Sequence, residues 1–457
     1  MGYNDGVKYH IWTIGCQMNA ADSQRLASAL ERLGCLPVAQ PEEADLIVLN
    51  TCVVRQSAED KVYGRLGSLK PLKERRPERI IGLMGCLVGV HDPVPLRRRF
   101  SWVDVFLPPS QPGPLLDYLV ERGLVDEARA LEETESRRRS RVQEGGFLLP
   151  LQERGRLVSA YVPVVLGCSH ACTYCIIPYR RGPERSRPAD EIVAEAEALV
   201  AQGVREITLL GQIVDRYGVD LLPGARGGPL SLAGLLRRLH GIEELARIRF
   251  LTSHPSWMTD ELLDGVGALP KVCEQIEVPV QAGDDQVLAR MQRGYTAADY
   301  RRLVARIRER IPGASIATDV IVGFPGETEA QFQRTYALLA ELRLDKAHIA
   351  RYSPRPQTLA ARRFPDDVPE EEKERRRKAL DELQAEIAGE INARLLDQTV
   401  EVLVEGRDRK KRRWWGRTRT DKLVFFEDEG DWLGQLVNVR ITWAGPWSLI
   451  GEVENEV

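Results

Sequence analysis

Short apolar runs alternate with amphipathic helical stretches through most of this chain, and that alternation constrains the fold more than any other feature. "KYHIWTIG", "ADLIVLNTC" and "ERIIGLMGC" read as strands, with the helical "ADSQRLASALERLG" and "RQSAEDKVYGRLGSLK" between them. A parallel strand pair needs a crossover long enough to hold a helix, so the pattern predicts a parallel sheet with helices on its faces. The carboxyl ends of such strands share one edge, where ligands bind.

A second block repeats the alternation. "LVSAYVPVVLG", "REITLLG", "RIRFLTS", "EQIEVPVQ", "ASIATDVIVGFPG" and "DKAHIARYSP" are its strands. Six strands are too few to close an eight-stranded barrel, so an open partial (β/α) barrel is expected. The third block opens with a helix whose Leu380, Leu383, Ile387, Ile391 and Leu395 form one apolar face. Short strands with glycine turns follow ("QTVEVLVEG", "WWGRT", "KLVFFEDE", "QLVNVRITWAG"), a spacing that fits a small antiparallel β-barrel. The expected organisation is an α/β domain over 1–124, a charged linker over 125–156, the partial barrel over 157–390 and the small barrel over 391–457. A chain of 457 residues with 43% hydrophobic content can bury several cores. Its formal net charge of −3 leaves any polyanion binding to local basic patches. The N-terminus has no basic-then-apolar pattern and no apolar run approaches a membrane span, so a cytoplasmic protein that does not enter a membrane is expected.

Eight unevenly spaced cysteines argue against a disulfide framework and for thiols that bind metal or do chemistry. Cys168, Cys172 and Cys175 crowd into "GCSHACTYC", directly after the first strand of the second block. The spacing Cys-x3-Cys-x2-Cys supplies three thiolates, one fewer than a fully ligated [4Fe–4S] cluster requires, which leaves one iron open. A zinc site completed by His170, or three buried structural thiols, are the alternatives. Cys16, Cys52 and Cys86 each follow a strand of the first block, so they can meet at one sheet edge, and a second three-thiolate cluster is the simplest reading. Cys35 and Cys273 lack such positions and read as structural.

"GCSHACTYC" resembles the cluster motif of the radical S-adenosylmethionine superfamily. The chain as a whole is similar to the methylthiotransferase family within it. "GCQMNAADSQRL", "NTCVVRQSAEDKVYGRLG" and "IIPYRRGPERSRP" look most like the branch that modifies isopentenyl-adenosine in transfer RNA. The resemblance implies an N-terminal cluster domain, a radical S-adenosylmethionine partial barrel and an RNA-binding TRAM barrel. It implies two [4Fe–4S] clusters and two uses of S-adenosylmethionine, one as methyl donor and one as source of a 5′-deoxyadenosyl radical that takes hydrogen from an adenine C–H. The partners implied are the tRNA anticodon loop, an electron donor such as flavodoxin or ferredoxin, and a sulfur source, with the enzyme a monomer. Ile213, Asp215 and Ala282 depart from the family's usual residues, which bears on individual contacts. The other branches, acting on threonylcarbamoyl-adenosine tRNA or on ribosomal protein, stay open as alternatives. So does a non-catalytic iron–sulfur RNA-binding redox sensor.

Tyr174 inside the cluster motif and the strand-end residues Gly211, Gln212, Gln281 and Gly323 are candidates for S-adenosylmethionine binding, since glycine lets a ligand approach the backbone. Plain turn glycines are the alternative. His254 reads as a further strand-end candidate, and Glu327 as a possible helix cap. Arg180 and Arg181, with Arg185 and Arg187, follow the cluster motif and suit phosphate contact. "RDRKKRRWWGRTR" carries eight basic residues against one acidic, so Lys410, Lys411, Arg412, Arg413 and Trp414 are candidate RNA contacts. Its tryptophans are equally suited to the barrel core.

Overall fold

The computed structural model describes residues 6–54, 56–91, 93–126, 147–221, 230–408 and 410–454. Much of the expected linker, and Arg409 in the basic run, lie outside them. The chain divides into two compact units: residues 1–155, 161–170 and 175–202 make the first, and residues 156–160, 171–174 and 203–457 the second. The expected 156/157 boundary therefore does not coincide with this division, which also crosses the cysteine-rich loop. Among the described residues no helix is long and apolar enough to cross a membrane.

The first unit is built on a five-stranded sheet of β1 (Lys8–Thr13), β2 (Leu36–Pro37), β3 (Leu46–Thr51), β4 (Ile80–Gly85) and β5 (Val105–Leu107), in the order β2-β1-β3-β4-β5. All its pairings are parallel. Both faces are covered: Leu46 and Val48 join one apolar cluster, while Ile47 and Leu49 join the other. That double burial is why β3 and β4 read as unbroken apolar runs rather than alternating ones. β2 and β5 escape a sequence reading because two or three residues carry no period.

Six further strands match the second block: β6 (Ser159–Pro163), then, after the short pair β7 (Val165–Leu166) and β8 (Arg185–Ser186), β9 (Glu206–Leu210), β10 (Arg247–Leu251), β11 (Gln275–Glu277), β12 (Ser315–Val322) and β13 (Lys346–Arg351). They form two three-stranded sheets, β10-β9-β6 and β11-β12-β13, linked by a parallel bridge between Ile248 and Val272. This is the open partial barrel. After the helix Glu370–Ala393, strands β14 (Thr399–Asp408), β15 (Arg413–Thr418), β16 (Leu423–Phe426), β17 (Leu436–Ala444) and β18 (Leu449–Val453) close into a small barrel in the order β14-β15-β16-β18-β17.

Within the second unit the small barrel is fixed to the amino ends of the partial-barrel strands. Arg247 donates to the Arg417 carbonyl (2.7 Å) and to Glu401 (2.8 Å). Arg249 donates to the carbonyls of Thr418 (2.7 Å) and Arg419 (2.8 Å), and Arg419 pairs with Glu274 at 2.7 Å. The turn between β15 and β16 is thus held at one end of the strands, leaving their carboxyl ends to the candidate site.

Candidate iron–sulfur and RNA-binding sites

Cys16, Cys52 and Cys86 stand just beyond the carboxyl ends of β1, β3 and β4. The parallel sheet brings these distant residues to one edge. The thiols influence one another: burial, then the Cys86 thiol, push Cys52 up to about 11. Burial raises Cys86 as well, opposed by the neighbouring Arg181 guanidinium. Asn19 and Asn50 brace this edge, Asn19 donating to the Asn50 side chain (2.9 Å) and the Thr51 carbonyl (3.0 Å). At Gly85, with φ +97°, an added Cβ would lie 2.5 Å from the Thr51 carbonyl, so the backbone beside Cys86 requires glycine.

Arg181 is not placed as a phosphate contact. Its side chain is 3% exposed and pairs with the fully buried Asp22 at 3.2 Å. Ser110 donates to the other Asp22 oxygen at 2.6 Å. Burial works against charge on Arg181, but Cys86, Asp22 and Cys16 together hold its guanidinium more firmly protonated than usual. A buried cation there complements the negative charge that thiolate ligands carry. Arg187 is likewise committed, to Glu195 (2.7 Å) and the Pro163 carbonyl (2.7 Å). Arg180 is half-buried, its aliphatic stem alongside Gly89, and Arg185 is exposed. The arginine run thus divides between buried pairs and surface.

Around the cysteine-rich loop, the local contacts within each unit suit thiolate ligands. In the first unit the His170 N–H points at Cys168 Sγ (3.4 Å), and the Cys168 N–H donates to the Gly182 carbonyl (3.0 Å). Gly167, at φ +73°, has no room for a side chain: a Cβ would lie 2.2 Å from the Pro183 carbonyl. In the second unit the buried Arg293 donates to Cys172 Sγ (3.2 Å) and to the Pro279 carbonyl (3.2 Å). Burial opposes its charge, but Tyr174, Tyr295 and Cys172 outweigh that and keep it protonated. Thr173 is pinned between the Met291 and Arg290 carbonyls and the Ala360 N–H. N–H donors and a guanidinium on ligand sulfurs are what an iron–sulfur cluster receives from its protein. Nothing in the sequence pairs Arg293 with Cys172, 121 residues away, or Arg181 with Asp22, 159 residues away. Among the described residues no three of His, Cys, Asp or Glu are drawn around the position of one metal ion. A cubane does not ask for that, since each thiolate takes its own iron.

The strand-end candidates lie at the carboxyl ends within the second unit. Gln281 adopts φ 73° and is held by backbone bonds to Asp319 and Ile321. The Gly323 N–H donates to Glu327 (2.6 Å), which also pairs with Arg376 at 2.9 Å. Glu327 therefore caps no helix; Thr328 does, through its bond to Gln331. Tyr174 packs beside the apolar cluster that contains Ala282, Val287 and Phe324, and Ala282 is fully buried there. Asp215, another of the three departures, accepts the His254 N–H at 3.0 Å and so shapes the turn after β10. His254 is buried against Trp257 and Tyr295. Gly211 is buried and Gln212 half-buried just past β9. At the carboxyl end of β11, burial and the Asp319 carboxylate push Glu277 up to about 7.

In the small barrel, Lys410, Lys411 and Arg412 are exposed at the turn between β14 and β15, Arg412 lying 3.7 Å from Glu429. Trp414 points inward, is 5% exposed and packs among Val402, Val424 and Phe426, so it is core and not a contact for RNA. Adjacent strand residues face opposite ways, so Trp415 points out.

The Radical SAM superfamily model matches residues 162–339, the model described as "Uncharacterized protein family UPF0004" matches 8–108, and the TRAM domain model matches 394–453. The chain is 48% identical to the tRNA-2-methylthio-N(6)-dimethylallyladenosine synthase of Roseiflexus sp. (strain RS-1), over 97% of this chain and 89% of that protein. It is 46% identical to the synthase of the same name from Herpetosiphon aurantiacus, over 98% of both. Among solved structures it resembles the radical S-adenosylmethionine methyltransferase TsrM from Kitasatospora setae, with a TM-score of 0.53 and 15% identity over 78% of this chain and 77% of that one, a likeness of fold.

Proposed function

Since the chain belongs to the family of tRNA-2-methylthio-N(6)-dimethylallyladenosine synthases, we propose that it adds a methylthio group to the adenine C2 of N6-isopentenyladenosine next to the tRNA anticodon. It is a radical S-adenosylmethionine transferase that uses S-adenosylmethionine and two [4Fe–4S] clusters. When bound, these groups supply the one-electron chemistry and the methylated sulfur that replace an unactivated C–H hydrogen. Cys168, Cys172 and Cys175 hold the cluster that takes S-adenosylmethionine, and Cys16, Cys52 and Cys86 hold the second. Arg181 and Arg293 set positive charge beside these two sets of thiolates, and the strand ends at Gly211, Gln212, Gln281 and Gly323 receive S-adenosylmethionine. The small barrel binds the tRNA. The working division is 1–124, 125–156, 157–390 and 391–457, in a cytoplasmic monomer supplied with electrons by flavodoxin or ferredoxin and with sulfur by a separate source.

The observation that supports this reading best is the meeting of Cys16, Cys52 and Cys86 at one sheet edge beside a buried guanidinium, in a chain that also carries Cys-x3-Cys-x2-Cys. The test is the variant Cys16→Ala/Cys52→Ala/Cys86→Ala. Iron per chain is expected to fall by about half, since each cubane holds four irons. Mass analysis of nucleosides from tRNA treated with this variant is expected to show no methylthio product, whereas the wild-type protein forms it. Full iron together with undiminished product would make the three thiols structural and remove the second cluster from the mechanism.

A further inference from the structure

On the outer wall of the small barrel, four apolar side chains stand opposite one another in a single row. Trp415 on β15 faces Phe425 on β16, Phe425 faces Ile450 on β18, and Ile450 faces Trp443 on β17. Neighbouring strands are about 4.8 Å apart, so the row spans roughly 14 Å across the sheet. Trp443 is 50% exposed and Ile450 39%. They face solvent because the inward positions of the same strands, Phe426, Ile441 and Leu449, already fill the core.

Both ends of the row are built to let an indole lie down. A Cβ on Gly406 would sit 2.8–2.9 Å from Nε1, Cε2 and Cζ2 of Trp415, and one on Gly445 would sit 2.3 Å from Cη2 of Trp443. Glycine at these two places allows each ring to rest against backbone and turn its other face outward. The row also carries charge: the Arg413 guanidinium lies 3.9 Å from the centre of the Phe425 ring, with a buried Nε that has no hydrogen-bond partner among the described residues. Lys410, Lys411 and Arg412 sit in the turn that leads into Arg413.

Flat aromatic faces at strand spacing, interleaved with cations, match a polyanion that presents unstacked rings. Resting on the tRNA reading above, we propose that the row Trp415–Phe425–Ile450–Trp443 is a stacking platform for unpaired bases of the tRNA, distinct from the target adenine. The small barrel is fixed at the amino ends of the partial-barrel strands, whereas Ser253 and Gln281 lie at the carboxyl ends. A five-residue strand such as β10 separates these levels by about 17 Å. The platform therefore holds other nucleotides of the same RNA.

The test compares the cluster-loaded wild type with Trp443→Leu and Trp443→Phe in binding isopentenylated tRNA at several salt concentrations. Leucine keeps apolar bulk without a ring, so it is expected to weaken binding about tenfold, and phenylalanine is expected to recover most of the loss. The slope of log affinity against log salt is expected to stay at the wild-type value, because no phosphate contact is removed. Wild-type affinity for Trp443→Leu would overturn the platform, and so would a loss that phenylalanine fails to recover. Unchanged tRNA affinity with slower reduction by flavodoxin would assign the row to a protein partner and equally overturn it. If these losses appear but the wild type forms no methylthioadenosine, the reaction assignment fails and the platform stands. If product forms and Trp443→Leu binds normally, the platform fails and the reaction assignment stands.

Discussion

Arg181 and Asp22 are 159 residues apart, yet their side chains are 3% and 0% exposed and 3.2 Å from each other. A buried pair contributes little beyond what packed hydrophobic residues would, but breaking one side leaves an uncompensated charge that costs about 3–5 kcal/mol. Arg181→Gln leaves the Asp22 carboxylate with Ser110 as its remaining donor among the described residues and removes the cation beside Cys86. The expected result is a large fall in unfolding midpoint, with Arg181→Met/Asp22→Leu recovering most of it. Arg181→Gln as stable as wild type would show that the pair contributes nothing. The placing of Cys16, Cys52 and Cys86 beyond strand ends was legible in the sequence, because each follows an apolar run. The burial of Arg181 was not, since a run of basic residues reads the same whether each one points to solvent or into a core. Trp414 and Trp415 show the same limit: strand alternation says that one of the two is buried, and only the register of β15 says which.

At the scale of elements, periodicity gave the strand–helix alternation of the first two blocks and the change to short strands in the third. It could not reveal that the turn from β15 to β16 is anchored by Arg247 and Arg249, because those arginines sit inside strands that read as ordinary. Next to that joint lies Glu405 on β14, whose side chain is 15% exposed. Burial, only partly offset by Arg417 at 3.6 Å, pushes its carboxyl up to about 7, with Glu206 raising it and Arg249 lowering it. An unfolded glutamate titrates near 4.3. The folded state therefore holds this proton more tightly, so the stability it contributes is complete below about pH 4.3 and lost as pH rises through about 7. Glu405→Gln is expected to match wild type at pH 4 and to exceed it at pH 8 by about 2–4 kcal/mol. Denaturant unfolding at the two pH values checks this, and an unchanged pH slope in the variant would place the titration elsewhere.

At the scale of the whole molecule, each block found in the sequence corresponds to a sheet or barrel, but the fixing of the small barrel at the amino ends of the partial-barrel strands was not legible. Side-chain hydrogen bonds between strands far apart in the chain decide it, and periodicity carries no trace of them. The consequence is a division of labour within the second unit. On the proposed function, chemistry belongs at the carboxyl strand ends, and the exposed cations of the β14–β15 turn would act on another part of the RNA. Removing those cations should then weaken capture of tRNA without altering how the target base is handled once bound. For Lys410→Gln/Lys411→Gln/Arg412→Gln the apparent KM for tRNA is expected to rise while kcat at saturating tRNA holds. Each lost phosphate contact is expected to reduce the slope of log affinity against log salt by about 0.7–0.9. Arg412, already 3.7 Å from Glu429, should contribute least of the three. This loss differs in kind from that at Trp443, where affinity falls and the salt slope stays. A triple variant that retains the wild-type slope would reduce the basic turn to a solvated surface, and one that lowers kcat at saturating tRNA would mean the turn reaches the reacting base after all.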